Sequence, residues 1–271
     1  MPFTPTHIAA AIPFAWLCRW RVPFTALAIG TTVSDIPVYF PMLLPYQATH
    51  TMTGVVTHCL PLGLLLYFIY HGLLKRPLVD LLPTALRDRL LPYLNRELEF
   101  DPLRIAVVSI LIVFGAATHV FWDSFTHPAR WGTLRFPWLN ETVIAGNVSM
   151  PWYAVLQHAS SLILLPPMLV GFGWWLMRQP RLALEDQRAK FPPGIAWSVF
   201  GLICLGGFIH WRMIVAASPH FSLVSSVRLT VARAGAVCLA VVLLYCVAMQ
   251  LIWLMERRSE MKRESSYLES T

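Results

Sequence analysis

Long apolar runs dominate this sequence, and each is about as long as a helix must be to cross a lipid bilayer. Six of them cover approximately 23–45, 54–74, 103–126, 153–177, 194–216 and 229–255. A spanning helix needs about 20 apolar residues, so a seventh run at 7–18 is too short to cross comfortably. Only 13% of the 271 residues are charged, whereas an average soluble domain is about 25% charged. The sequence therefore predicts an all-α, polytopic integral membrane helical bundle of about six to seven transmembrane helices, not a soluble enzyme.

The basic residues predict which helix ends face the cytoplasm. The net charge is +7, and 16 of the 21 Lys and Arg residues fall in the gaps 19–22, 75–104 and 178–190 and in the C-terminal tail. Because Lys and Arg concentrate in cytoplasmic loops, we expect these gaps and the C-terminus in the cytoplasm. The alternate gaps, 46–53, 127–152 and 217–228, should face outward. The basic residues lie between apolar runs and form no stripe with interleaved aromatics, so we expect no nucleic-acid partner.

The domain organisation is predicted to be simple. We find no internal repeat or low-complexity tract, so we expect a single membrane domain over residues 1–271. Residues 75–102 are Leu-rich but charged, which predicts one or two amphipathic helices on the cytoplasmic membrane surface. Residues 178–271 should add two further helices and a polar tail.

Ionisable residues inside the apolar runs are the strongest functional signal. His119, Asp123 and His127 are spaced i, i+4 and i+8, so they form one stripe on a helix that Pro128 should end. A His and an Asp on adjacent turns supply a nitrogen and an oxygen ligand that Zn²⁺ or a similar divalent ion accepts. The alternative is a helix end carrying ordinary interfacial polar residues, but buried ionisable groups are costly in a membrane.

Other polar residues map to the same outward end of the bundle. Asp35 precedes Pro37, which should loosen the helix there, and it is a candidate metal ligand or general base. Its alternative role is to cap a kink or to pair with an Arg or a His. His7 and His50 are further candidates, with Thr51 or Thr53 as the N-cap of the helix that follows His50. Without a partner at helical spacing, three other histidines are interpreted as structural: His158, His210 and His220.

Several short motifs together resemble domain-of-unknown-function family 4184, an uncharacterised family of bacterial multi-pass membrane proteins. The motifs are MPFTPTH, GTTVSDIPVYF, THTMTGV, GAATHVFWDSFTHPARWG and LQHASS. The resemblance covers residues 1 to about 177 and weakens after that to hydrophobicity alone. It implies a multi-pass protein of the bacterial cytoplasmic (inner) membrane, and it implies no activity.

A more distant resemblance connects the chain with the membrane-bound metal-dependent hydrolases. That group carries an early His, an Asp after the first helical region, a His-Thr-His-Ser-like turn and a Gly-x-x-x-His-x-x-x-Asp-x-x-Thr stretch. The matching residues here are His7, Asp35, His50, Thr51, Gly115, His119, Asp123 and Thr126. The sequence departs from the pattern at Met52, where the turn lacks its second His, and after Asp35, where no further Asp or His follows. Zinc-dependent phospholipase C is a still more distant analogue by ligand type alone.

Together these features predict a metal-dependent hydrolase that acts on a phosphate or ester near the outer membrane surface. One or two divalent ions, Zn²⁺ in the first place, would be bound by His7, Asp35, His119 and Asp123. His50 or His127 would transfer protons or complete the metal shell. The expected partners are the lipid bilayer and a lipid or lipid-phosphate substrate. Two alternatives stay open: a transporter or assembly factor that uses the cluster as an ion or proton site, and a structural protein with degenerate ligands.

Overall fold

The computed structural model describes residues 3–94, 101–146, 148–181, 193–217 and 223–269. These residues group into two compact units. The first contains the described residues of Met1–Phe68 and Glu99–Arg178, and the second those of Ile69–Leu98 and Gln179–Thr271. Whether residues 1–271 act as one membrane domain stays a prediction.

The first unit consists of helices with one small hairpin. Its helical elements, in chain order, are a 3₁₀ helix Thr4–Ala10, α1 Ala11–Leu17, α2 Phe24–Val33, α3 Ile36–Tyr39, α4 Tyr46–Thr49, α5 Met52–Gly54, a π-helical turn Val55–Cys59, α6 Leu60–Ile69, α9 Pro102–Thr126, α10 Trp131–Arg135, a 3₁₀ turn Pro137–Asn140 and α11 Trp152–Arg178. Strands β1 Thr142–Ala145 and β2 Val148–Pro151 pair antiparallel, with Val143 opposite Met150. This hairpin lies between α10 and α11 and is an addition to the predicted all-α fold.

Helix α9 has clear start and stop signals. The Asp101 side chain caps its first turn by accepting a hydrogen bond from the Arg104 backbone N–H at 3.0 Å. Pro102 occupies the first turn, where a missing N–H costs nothing. At the other end His127 adopts an extended conformation, as a residue before proline prefers. The predicted helix over 103–126 is therefore confirmed.

Helices α2 and α9 approach each other closely through two glycines. A Cβ atom on Gly30 would lie 2.5 Å from the Ile112 carbonyl oxygen, and one on Gly115 would lie 2.6 Å from the Leu27 carbonyl oxygen. Small residues at such contacts let helix backbones pack closely where the lipid supplies no hydrophobic driving force. This contact brings the C-terminal end of α2 beside the last two turns of α9.

The predicted continuous span 23–45 is wrong, because the helix breaks after Val33. Asp35 lies in the break with φ of −88° and ψ of −4°, and α3 follows with Pro37 in its first turn. Proline supplies no N–H and clashes with the preceding turn, so α2 does not continue into α3. The break turns the buried Asp35 side chain toward α9.

The chain between α3 and α6 returns to α9 through short turns. His50 ends α4, and Thr51 is the N-cap of α5, since its hydroxyl accepts a hydrogen bond from Gly54 N–H at 2.9 Å. This confirms the predicted cap. In the core below, buried Val33, Val55 and Cys59 pack against Ala116 and Val120 of α9.

The second unit contains the remaining described helices. They are a π-helical turn Tyr70–Leu74, α7 Lys75–Asp80, α8 Thr84–Leu94, α12 Pro193–Ala217 and α13 Leu223–Glu269. The segment 75–102 thus contains two helices in its described part, and its residues 95–100 lie outside the described residues. Helix α13 continues through the polar tail to Glu269.

Among the described residues, four helices are long and apolar enough to cross a membrane. They are Met52–Asp80, Pro102–Thr126, Trp152–Arg178 and Ala234–Arg263. Two shorter apolar helical stretches, Phe24–Val33 and Trp197–Ile209, correspond to the other predicted spans. The predicted total of six to seven transmembrane helices therefore stays a prediction.

Candidate metal centre

All six side chains that the sequence singled out meet at one place in the first unit. They come from the N-terminal 3₁₀ helix, the α2–α3 break, the end of α4 and the last turns of α9. In chain order they are His7, Asp35, His50, His119, Asp123 and His127. The fold therefore gathers residues that are up to 120 positions apart in the sequence.

Four of these residues form a compact donor set. Asp35, His50, His119 and Asp123 each offer one ligand atom, and these atoms all lie within 4.8 Å of one another. Nε2 of His50 and Nε2 of His119 each lie 3.5 Å from Asp35 Oδ1 and 3.5 Å from Asp123 Oδ2. The fold therefore brings the carboxylates of Asp35 and Asp123 together, and their role as ligands of one ion stays a prediction.

The four donor atoms are buried and lack hydrogen-bond partners among the described residues. Leaving buried polar atoms unpaired costs free energy, so a group of them pointing at one spot requires an explanation. Ligand atoms held about 2.0–2.2 Å from a tetrahedral Zn²⁺ stand about 3.3–3.6 Å apart. The observed 3.5 Å separations match that spacing. The residues present therefore fit a divalent ion.

Backbone carbonyls orient the two imidazoles of the donor set. His119 Nδ1 lies 2.8 Å from the Thr31 carbonyl oxygen, and His50 Nδ1 lies 3.0 Å from the Tyr46 carbonyl oxygen. A carbonyl oxygen only accepts, so each Nδ1 carries a hydrogen, and each Nε2 has a lone pair for an ion when the imidazole is neutral. Metal-binding histidines are commonly held by such a bond on their other nitrogen.

Asp35 is oriented by the N-terminal segment. The Thr4 hydroxyl donates to Asp35 Oδ2 at 2.7 Å, which leaves Oδ1 as the atom that faces the two imidazoles. The Tyr39 hydroxyl in turn donates to Thr4 Oγ1 at 3.3 Å. Because Oδ2 accepts the hydrogen bond from Thr4, Oδ1 is the oxygen left to bind an ion.

His7 stands beside the donor set rather than within it. Its ring stacks on the His119 ring with centroids 3.8 Å apart, and its Nε2 lies 3.6 Å from Asp123 Oδ1. His127 is next to the same carboxylate, with Nδ1 donating to the Asp123 carbonyl oxygen at 3.2 Å. The compact set therefore contains His50, for which the sequence left open proton transfer or completion of the metal shell. His7, expected among the metal ligands, contacts the set from outside.

Burial keeps the two outer histidines neutral. Burial and the adjacent His119 lower the pKa of His7 to about 3, although Asp123 opposes this. Burial also lowers the pKa of His127, and the charge of Asp123 offsets it only in part. Desolvation disfavours a charged imidazole, so both rings present a lone pair near neutral pH.

His50 and Tyr46 are shifted in the opposite direction. Burial lowers the pKa of His50, but the carboxylates of Asp123 and Asp35 outweigh it and leave that pKa above its ordinary value. Burial, reinforced by the same two carboxylates, raises the pKa of Tyr46 well above its ordinary range. The phenol therefore stays protonated, and its buried hydroxyl has no hydrogen-bond partner among the described residues.

Sequence reasoning missed three residues that support the cluster. The Tyr46 ring packs against the His50 ring, with centroids 3.8 Å apart and planes inclined by 31°. Arg130 donates from Nη1 to the His50 carbonyl oxygen at 2.8 Å and lies over the Tyr46 ring. Thr4 is the third. Nothing in the spacing of Tyr46 or Arg130 marks them, because both act through contacts made only in the folded chain.

Two other described histidines, His58 and His158, are not part of this cluster. His58 is bonded to its neighbour Thr57, with the hydroxyl and Nδ1 2.8 Å apart, and His158 is exposed on α11. His220 lies outside the described residues, and no side chain is described for His210. The structural interpretation of His158, His210 and His220 stays a prediction.

Comparison with known proteins adds a family but no function. No curated protein and no solved structure matches the chain. One family model, described as a domain of unknown function (DUF4184), matches residues 1–248. The match continues well past residue 177, where the recognisable motifs end, and it covers every residue of the candidate metal centre. The chain therefore belongs to the DUF4184 family.

Proposed function

We propose that this protein is a membrane-embedded, metal-dependent hydrolase that acts on a phosphate or ester at the extracytoplasmic surface. The observation that carries the proposal is the set of four buried, unpaired donor atoms described above: Asp35 Oδ1, His50 Nε2, His119 Nε2 and Asp123 Oδ2. The distant resemblance of His7, Asp35, His119 and Asp123 to the pattern of the membrane-bound metal-dependent hydrolases is our reason for proposing hydrolysis.

The donor chemistry suits a hydrolytic metal. Two imidazole nitrogens and two carboxylate oxygens form a ligand set that Zn²⁺ accepts. A bound divalent ion supplies a more acidic water and polarises a phosphoryl or carbonyl oxygen. Within this chain, Asp35, His50, His119 and Asp123 would hold the ion, and the carbonyls of Thr31 and Tyr46 would fix the imidazoles.

His127 is the side chain we assign to proton transfer. Its side chain is 15% exposed, compared with 4% or less for His7, His50 and His119. Its Nδ1 is bonded to the Asp123 carbonyl, and its Nε2 has no partner among the described residues. An imidazole with one nitrogen fixed and the other free is the usual form of a general acid or base.

The burial pattern of α9 favours hydrolysis over ion transport. Residues of α9 that are buried before His119 are all apolar: Val108, Leu111, Ile112, Gly115 and Ala116. A path for ions or protons through the membrane would require polar groups along this stretch. The polar cluster is thus confined to one end of the helix.

Aromatic side chains beside the centre support a substrate at the membrane surface. Trp131, Trp138 and Trp152 are exposed in the segment that joins α9 to α11. Tryptophan is enriched where protein meets the lipid headgroups. A lipid or lipid-phosphate ester presented at that depth fits a centre that His127 and Arg130 of this segment contact.

Hydrolysis by the full-length protein in phospholipid nanodiscs tests the proposal. Zn²⁺-loaded protein is assayed with p-nitrophenyl phosphate, p-nitrophenyl butyrate and a lipid phosphate monoester. We expect turnover of at least one of them, a loss of 100-fold or more in His119→Ala, and little change in His158→Ala. Stoichiometric zinc without hydrolysis of any of the three would contradict a hydrolase and favour a non-enzymatic ion site.

A further inference from the structure

One ion in the four-atom set leaves three buried donor atoms unexplained. His7 Nε2, Asp123 Oδ1 and His127 Nε2 have no hydrogen-bond partner among the described residues. The side chains of His7 and Asp123 are each only 4% exposed. The unpaired atoms therefore extend beyond a single tetrahedral site.

His7 and Asp123 face each other without a hydrogen bond between them. Their closest atoms, Nε2 and Oδ1, are 3.6 Å apart and form no hydrogen bond. A charged imidazole bonded to a carboxylate would close to about 2.7–2.9 Å. A separation of 3.6 Å instead falls at the spacing of two ligand atoms on one tetrahedral ion, about 3.3–3.6 Å.

The stacked imidazoles present two adjacent positions to one carboxylate. The rings of His7 and His119 are 3.8 Å apart and inclined by only 23°. Nε2 of His119 faces Asp123 Oδ2 at 3.5 Å, and Nε2 of His7 faces Asp123 Oδ1 at 3.6 Å. Ions bound at these two positions would be separated by roughly the stacking distance, as in two-metal sites with ions about 3.5–4 Å apart.

We propose that the carboxylate of Asp123 bridges two divalent ions, the second of them held by His7 Nε2 and Asp123 Oδ1. This inference rests on the proposed metal centre, in which Asp123 Oδ2 binds the first ion. The second position has two protein ligands against four for the first. An ion at the second position should therefore be bound more weakly and have more room for a substrate oxygen.

Metal stoichiometry of the full-length protein distinguishes the two positions. Wild type, His7→Phe and His158→Ala are loaded with Zn²⁺, freed of excess ion and analysed by mass spectrometry. Phenylalanine keeps a ring stacked on His119 but removes the nitrogen, so the first position should survive. We expect two ions per chain in wild type and in His158→Ala, and one in His7→Phe.

Electron paramagnetic resonance of Mn²⁺-loaded protein provides a second measurement, which is informative for the wild-type protein alone. Two ions bridged by a carboxylate should give an exchange-coupled spectrum in wild type, and His7→Phe should give that of a single ion. One ion in wild type, or two in His7→Phe, would overturn the second position and leave the first intact. No ion in wild type would overturn the metal centre, and with it the proposed function.

Discussion

Hydrogen bonds to backbone oxygens decide what the two central histidines can do. Thr31 supplies a carbonyl from the last full turn of α2, and Tyr46 supplies one from the first residue of α4. Both carbonyls are fixed by helix geometry, so the free Nε2 atoms of His119 and His50 are fixed as well. At this scale the centre is preorganised by backbone rather than by a network of side chains.

Thr4 is the exception, and it gives a prediction at the residue scale. Thr4→Val keeps the shape of the side chain but removes the hydroxyl that donates to Asp35 Oδ2 at 2.7 Å. Loss of such a supporting bond usually weakens metal binding by about 10–100-fold. We expect that loss in a Zn²⁺ competition titration, with little change in the amount of folded protein.

Thr57→Val is the matched control for that measurement. Its hydroxyl bonds to the Thr53 carbonyl oxygen and to His58, away from the centre. Equal zinc affinities in Thr4→Val and wild type would show that Asp35 needs no support from the N-terminal segment.

At the scale of elements, the glycine contact between α2 and α9 sets the distance between Asp35 and the α9 ligands. Gly115 lies one turn before His119, and a Cβ atom there would come 2.6 Å from Leu27 O and 2.7 Å from Thr31 N. Both of those atoms belong to backbone, which cannot move aside as a side chain can. The helices must therefore separate if Gly115 is enlarged.

Gly115→Ala should lower both stability and metal content. Overpacking of a tight contact typically costs about 1–3 kcal/mol, and the shift of α2 moves the Thr31 carbonyl that holds His119. Thermal unfolding and bound zinc are measured against Gly171→Ala on α11, where nothing lies within 4 Å of the added Cβ atom. Indistinguishable melting temperatures for the two variants would mean that the α2–α9 contact is looser than described.

Elements differ in how far the sequence could predict them. The i, i+4 spacing of His119 and Asp123 with Pro128 beyond them fixes a helix, its end and a shared face, and the structure agrees. The break at Asp35 was only partly foreseen, because a proline can bend a membrane helix or end it, and the choice depends on packing against α9. The position of His50 depends on the turn between α4 and α5. A turn has no repeating residue pattern from which its shape could be predicted.

At the scale of the whole molecule, the apolar runs predict the general architecture and leave its details open. Helix α9 ends at the donor set, so residues 127–152, which connect it to α11, begin on that side of the molecule. The basic residues predict that this side is outward, since 16 of the 21 lie in the opposite gaps and the tail. Sequence alone could not divide the described residues into two units, because that division depends on contacts between distant helices.

We therefore predict that the β1–β2 hairpin faces outward and that the C-terminus lies in the cytoplasm. Ile144 is exposed in the β1–β2 hairpin, within the segment expected outside. In a chain whose five native cysteines are replaced, Ile144→Cys should react with a membrane-impermeant maleimide in intact cells. A cysteine appended after Thr271 should react only after lysis. The reverse pattern would put the metal centre on the cytoplasmic side.

The most direct test of the whole account is the divalent metal content of the purified full-length protein. Asp123 contacts every imidazole of the cluster, so Asp123→Asn is the variant to compare with wild type. Asp80→Asn is the matched control, because Asp80 lies in the second unit and pairs with Arg76 at 3.2 Å. We predict at least one tightly held ion per chain in wild type and Asp80→Asn and almost none in Asp123→Asn. Metal-free wild type after zinc loading, or full metal content in Asp123→Asn, would contradict the account.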